Sequence, residues 1–123
     1  MAPSDLSRGA WHHAAMSREL VARYFAMWNT RDTSIADEIL DPGRVDHSHP
    51  EVTSVDDVKR AVASIPAGLR FRVDAVLEGA NTGTTDGTSL FAVVGGVGTS
   101  NLIWLIRVRD GRMAEMWTYR TTS

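Results

Sequence analysis

The sequence predicts an α+β fold, with helices first and a mainly antiparallel sheet after them. Three observations carry this expectation. Apolar residues recur at helical spacing in the first half of the chain and with a period of two in the second. Helix-start residues cluster before Ile65, and an Asp110-Gly111 hairpin signal lies near the end. The chain has 123 residues, the length of one domain. Helices followed by a meander of strands give an α+β arrangement rather than alternating βα units. One curled sheet around a long helix leaves a cleft between them.

The elements follow in order. Residues 1–13 read as a polar tail with no apolar signal core, and residues 14–123 as a single domain. Leu20, Val21, Tyr24, Phe25 and Trp28 form one apolar stripe, predicting a helix from about Ala14 to Trp28. Asn29 to Asp32 ends it. Ser34, with Asp37 behind it, is expected to cap a second short helix that stops at an Asp41-Pro42-Gly43 turn. Val45 to His49 is a short extended piece closed by Pro50. Ser54 and Asp57 form a second capping signal, so a third helix spans about Val55 to Ile65, ended by Pro66 and Gly68.

The strand half begins at Leu69. There Leu69, Phe71, Val73, Ala75 and Leu77 alternate with polar residues and are expected to share one face. Asn81 to Gly87 reads as a glycine-rich turn, Thr88 to Val94 as a strand carrying Phe91, and Gly95 to Gly98 as a bulged hairpin. Asn101 to Arg109 and Arg112 to Thr121 are the last two strands.

Composition closes off several functions. With 43% hydrophobic residues the chain is not disordered. It has no cysteine, which excludes disulfides, thiolate metal sites and a cysteine nucleophile. A net charge of -2 does not suit a nucleic-acid binder. No apolar run approaches the roughly 18 residues of a membrane span, and a cytoplasmic protein is expected.

Chemistry-bearing residues are few. His47 is a candidate acid/base, because imidazole exchanges a proton near neutral pH. Asp46 stands beside it, although strand neighbours face opposite ways. His47 and His49 share a face as two metal ligands would, with Asp46 or Glu51 nearest as a third, but no metal-site spacing is present and no metal is expected. Tyr24 lies on the apolar stripe, where its hydroxyl needs a partner, protein or substrate. Trp28, Phe91, Trp104, Trp117 and Tyr119 are the candidate substrate-binding aromatics, suited to a hydrophobic polycyclic or polyene ligand. The Gly95-Gly96-Val97-Gly98 run lacks the spacing and the following helix of a phosphate loop. Arg70, Arg72 and Glu115 are expected outside.

Three segments resemble one superfamily. They are Arg23-Tyr24-Phe25-Ala26-Met27-Trp28-Asn29-Thr30-Arg31-Asp32, the short strand Val45-Asp46-His47, and the hairpin from Arg107 to Trp117 that reads R-V-R-D-G-R-M-A-E-M-W. Together they resemble the nuclear transport factor 2-like superfamily, especially its SnoaL-like polyketide cyclases and the ketosteroid isomerases. The resemblance covers roughly Ala14 to Tyr119. It implies a cone-shaped, cystatin-like α+β fold and a homodimer through the outer sheet face. It places Tyr24 where ketosteroid isomerases keep the tyrosine that binds the developing oxyanion, and His47 where they keep the aspartate base. It also puts Trp104 and Thr118 where related enzymes keep catalytic aspartates, and apolar Leu90 to Val93 where epoxide hydrolases keep an Arg-x-Asp strand. The implied function is a cofactor-free isomerase, dehydratase or cyclase acting on a polyketide- or terpenoid-like substrate. Two other readings stay open: a pocket that cyclises by positioning alone, and a non-catalytic ligand-binding or assembly module.

Overall fold

The computed structural model describes residues 18–78 and 88–121. The expected tail over residues 1–13, the start of the first helix and the Asn81–Gly87 turn lie outside the described residues.

Helix α1 spans residues 18–30. Its apolar stripe is buried as the spacing requires, with Val21 and Met27 fully enclosed and Leu20, Tyr24, Phe25 and Trp28 nearly so. It ends where Arg31 adopts a left-handed φ of 68° and its N–H still reaches the Met27 carbonyl. The cap of the next segment is Asp32, not the expected Ser34. The Asp32 carboxylate accepts the Ser34 N–H at 3.0 Å and starts a 3-10 turn, Thr33–Ile35, that runs into α2, Ala36–Ile39.

Strand β1, Leu40–Asp46, follows at once. It absorbs the Asp41-Pro42-Gly43 sequence expected to be a turn. Proline is tolerated because β1 is an edge strand, bonded only to β5, and its register slips between Leu40 and Val45. Helix α3, Val55–Ser64, carries the expected capping box: Ser54 accepts the Asp57 N–H, and the Asp57 carboxylate accepts the Ser54 N–H.

Four further strands complete the sheet: β2 Phe71–Glu78, β3 Thr88–Val97, β4 Ser100–Arg109 and β5 Arg112–Arg120. The order is β1-β5-β4-β3-β2, antiparallel throughout except for the parallel β1–β5 pair. The sheet is curled but not closed, and the three helices pack on its concave side. Asp110 and Gly111 form the β4–β5 turn with φ of 52° and 77°, as the sequence predicts. Gly95 and Gly96 belong to β3 rather than to a hairpin loop; the turn is Gly98-Thr99.

One strand departs from its expected facing. A register shift between Val73 and Ala75 breaks the alternation in β2. Phe71 and Val76 pack on the core, while Val73 and Leu77 are exposed. The bulge sits opposite Gly95, where a Cβ would overlap the Arg72 carbonyl. Glycine there allows two backbones to approach closely.

Candidate functional site

Between α1, α3, the segment after β1 and the concave sheet lies a cavity of about 480 Å³. Its size suits a small organic molecule. Alternation along the strands decides which residues reach it. From β5 these are Met116, Thr118 and Arg120; from β4, Leu102 and Trp104; from β1, Arg44 and Asp46. Tyr24 and Trp28 come from α1, Phe71 from β2 and Val97 from β3, with Ser48, His49 and Val52 from the segment that follows β1.

The floor is aromatic. Trp104 packs on Phe25 with ring centroids 4.7 Å apart, and Phe71 lies 5.0 Å from Trp28. Asn29 fixes Phe71 in place. Its amide accepts the Phe71 N–H at 2.7 Å and donates to the Phe71 carbonyl at 2.9 Å. In effect Asn29 pairs with the first residue of an edge strand as a neighbouring strand would.

The polar groups gather on one side. Arg44 is almost wholly enclosed. One Nη donates to the carbonyls of Val52 and Thr53 at 3.0 and 3.1 Å, and the other lies 3.8 Å from Asp46 Oδ2. Asp46 Oδ1 accepts the backbone N–H groups of Ser48 and His49, both at 3.0 Å, and lies 3.6 Å from His49 Nδ1. Thr53 ties the same segment down by donating to the Arg44 carbonyl at 2.9 Å. Among the described residues the Tyr24 hydroxyl donates to the Met116 thioether, at 3.8 Å, which is a weak acceptor. Burial pushes this hydroxyl above its ordinary 10.0; Arg44 and the Trp28 indole N–H oppose the rise, and Asp46 adds to it. Tyr24 therefore keeps its proton at neutral pH. The Trp28 indole N–H is buried beside this hydroxyl and, among the described residues, meets no acceptor at full hydrogen-bond geometry.

The candidates named from the sequence divide between the two sides of the sheet. Tyr24, Asp46, Trp28 and Trp104 line the cavity together. His47, Trp117 and Tyr119 do not. The His47 ring stacks on Trp117 at 4.6 Å and 9° on the outer face, and its Nε2 is 2.8 Å from Glu115 Oε2. Arg107 completes that outer cluster, 3.0 Å from the other Glu115 oxygen and 5.9 Å from the Trp117 ring. The expectation that His47 enters the cleft is thus corrected: the pleat that turns Asp46 inward turns His47 outward. Tyr119 is 51% exposed on the same outer face. Phe91 is fully buried in the core and does not line the cavity.

Arg44, Ser48, Phe71, Met116, Thr118 and Arg120 reach the cavity without belonging to the sequence-predicted site, and His49, by sequence a candidate metal ligand, lines it beside Asp46. A usable signal was present. Once Asp46 faces inward, Arg44 and Ser48 share its face, and Met116, Thr118 and Arg120 share another. Among the described residues no group of three His, Asp or Glu side chains is placed to hold a metal ion. No described helix is long and apolar enough to cross a membrane.

A curled sheet on three helices, with a cavity between them, is the architecture of the nuclear transport factor 2-like superfamily. The sequence profile of the SnoaL-like domain matches residues 21–116, and the chain belongs to that family. Solved structures agree on the fold. A protein with a cystatin-like fold from Caulobacter vibrioides superposes with a TM-score of 0.67 at 15% identity, covering 89% of each chain. A ketosteroid isomerase-like protein from Kribbella flavida gives 0.62 at 17% identity over 89% of this chain and 80% of that one. A SnoaL-like polyketide cyclase from Agrobacterium tumefaciens gives 0.60 at 10% identity over 85% and 91%. No curated protein matches the sequence significantly.

Proposed function

We propose that the protein is a cofactor-free enzyme of small-molecule biosynthesis that moves a proton on a hydrophobic substrate held in this cavity. The observation that carries this is the pairing of Tyr24 and Asp46 on one largely apolar cavity. Asp46 Oδ1 is held by two backbone N–H groups, which leaves Oδ2, beside Arg44, to take a proton from carbon. The bonding electrons move into the adjacent carbonyl, and the Tyr24 O–H donates to the oxygen where negative charge grows. Returning the proton to another carbon gives isomerisation. Expelling a β-hydroxyl that takes the Asp46 proton as it leaves gives dehydration and water, and attack by the enolate carbon on a second carbonyl, whose oxygen takes that proton, gives cyclisation. His49, at the rim beside Asp46, can pass the proton to solvent. The names of the Kribbella and Agrobacterium neighbours fit these reaction types.

Deuterium uptake tests the reading. Hydrophobic ketones with acidic α-hydrogens are incubated with the protein in D2O and followed by NMR. Exchange is expected with the wild type and about 10²-fold slower with Tyr24→Phe. Equal exchange in both would refute the role of Tyr24.

One observation favours a second reading, in which the cavity catalyses by shape. Trp104, Phe71, Leu102 and Val97 make the wall mainly apolar, and the family resemblance sets Trp104 and Thr118 where related enzymes keep carboxylates. Turnover that survives Asp46→Asn but falls on Trp104→Ala would favour it, because shape rather than proton transfer would then set the rate. In both readings two copies pair through the outer sheet face, where Ile103, Leu105 and Trp117 are only partly covered. Light scattering tests the pairing: a monomer at micromolar concentration would refute it.

A further inference from the structure

We propose that the substrate of this cavity carries an anionic group, a carboxylate, and that Arg120 holds it at the mouth while the hydrophobic body lies on Trp104, Leu102 and Val97. The inference rests on the cavity being the substrate site, and adds the substrate's charge and length.

The charges on the wall do not cancel. Its charged side chains are Arg44, Asp46 and Arg120, with His49 as a further titratable group. Arg44 and Asp46 are both buried, 3.8 Å apart, and neutralise each other. Arg120 remains. Most other described arginines are engaged: Arg18, Arg23, Arg60, Arg72 and Arg107 with acids, and Arg31 with the Pro66 carbonyl. Arg120 has no ion-pair or hydrogen-bond partner among the described residues, and it reaches the cavity because Met116, Thr118 and Arg120 alternate onto the concave face. Its cross-strand neighbour is Leu102, so this exposed arginine leaves the backbone beside the apolar wall of the cavity. A cation at the edge of an apolar cleft attracts an anion more strongly than one on an open polar surface. A planar carboxylate also matches the guanidinium fork.

The strand sets the substrate's length. Met116 contacts the Tyr24 hydroxyl at 3.8 Å and marks the deep, oxygen-binding end. Arg120 lies four residues further along the same face, about 13 Å away at the usual strand rise. A substrate that engages both ends is an elongated hydrophobic acid with an oxygen function remote from its carboxylate.

Two dyes test this on the full chain. 1-Anilinonaphthalene-8-sulfonate and N-phenyl-1-naphthylamine share a ring system and differ in the sulfonate, which stands in for the carboxylate. Fluorescence titrations compare wild type, Arg120→Gln and Arg112→Gln. Arg112 is an exposed arginine at the other end of β5, so its loss changes net charge equally but away from the cavity. The wild type is expected to prefer the anionic dye. Arg120→Gln should weaken that dye about fivefold, leave the neutral dye unchanged and lose most of the salt dependence. Arg112→Gln should behave as wild type. Three results overturn the proposal: no effect of Arg120→Gln, an equal effect of both arginine changes, or an equal loss of both dyes. Neither dye reacts, so failure of the deuterium-exchange test leaves this result interpretable, and the reverse also holds.

Discussion

Asp46 and His47 are neighbours in the chain and lie on opposite faces of the sheet. Asp46 faces the cavity with its side chain 7% exposed, while His47 stacks on Trp117 outside with its side chain 40% exposed. The proposed proton chemistry therefore rests on the carboxylate, which faces the cavity, rather than on the more conspicuous imidazole.

Tyr24 has a signature in stability as well as in turnover. Its folded pKa is raised above 10.0, so folding favours the protonated phenol. The resulting stability is fully present below pH 10 and is lost as pH rises through the folded value. Alkaline unfolding followed by circular dichroism should thus be shifted upward in Tyr24→Phe. The fold should survive that change, because the ring still meets Phe25 edge-on at 5.2 Å. An identical alkaline transition in both proteins would count against a buried phenol.

Asn29→Ala should weaken both the fold and the cavity. It leaves the N–H and carbonyl of Phe71 without partners at a part-buried position, a cost of about 1–3 kcal/mol. Urea denaturation measures that cost. The neutral dye should also bind less tightly, because Phe71 would no longer be fixed in the wall. Unchanged stability would mean that water replaces the amide without loss.

Gly95→Ala should be among the most damaging single-methyl additions. The new Cβ collides with the Arg72 carbonyl across the β2 bulge, and backbone must move to admit it. Overpacking of this kind costs about 1–3 kcal/mol. Gly43→Ala, where the nearest atom to a Cβ is 3.5 Å away, is the matched control and should cost much less. Thermal melts of the two variants decide it.

The capping box of α3 predicts an acid-sensitive element. The Ser54 side chain, then its backbone N–H, holds the Asp57 carboxyl below its ordinary 3.8. Stability from this pair is present above pH 3.8 and is lost as pH falls through the lower folded value. Ser54→Ala should cost about 1 kcal/mol at neutral pH. The penalty should shrink as pH falls through the folded value of Asp57, down to the part owed to the Asp57 backbone N–H that Ser54 Oγ accepts, which does not titrate. A penalty independent of pH would show that Ser54 acts without Asp57.

Much of the fold was legible because periodicity speaks directly of burial. The α1 stripe, the α3 capping box and the Asp110-Gly111 turn are local signals, and each stands where the residues put it. Two features were not legible for physical reasons. The β2 bulge depends on Gly95 of a different strand, and Pro42 reads as a breaker until β1 is known to lie at an edge. The cavity lining was legible in its residue types but not in the parity of its strands. His47, Trp117 and Tyr119 are the conspicuous side chains, yet each is one residue out of step with the inward face, where Asp46, Met116, Thr118 and Arg120 lie. A strand's inner face is settled by pairing, and pairing is not local.

The comparison that decides most directly is Asp46→Asn against His47→Asn in the deuterium-exchange measurement. Asp46→Asn is close to isosteric, and its amide oxygen can still accept the Ser48 and His49 N–H groups, while His47→Asn removes the imidazole from the outer face. Asp46→Asn is expected to lower the exchange rate by about 10²-fold or more, with His47→Asn near wild type. Exchange that persists in Asp46→Asn and disappears in His47→Asn would contradict the assignment of the chemistry to the cavity.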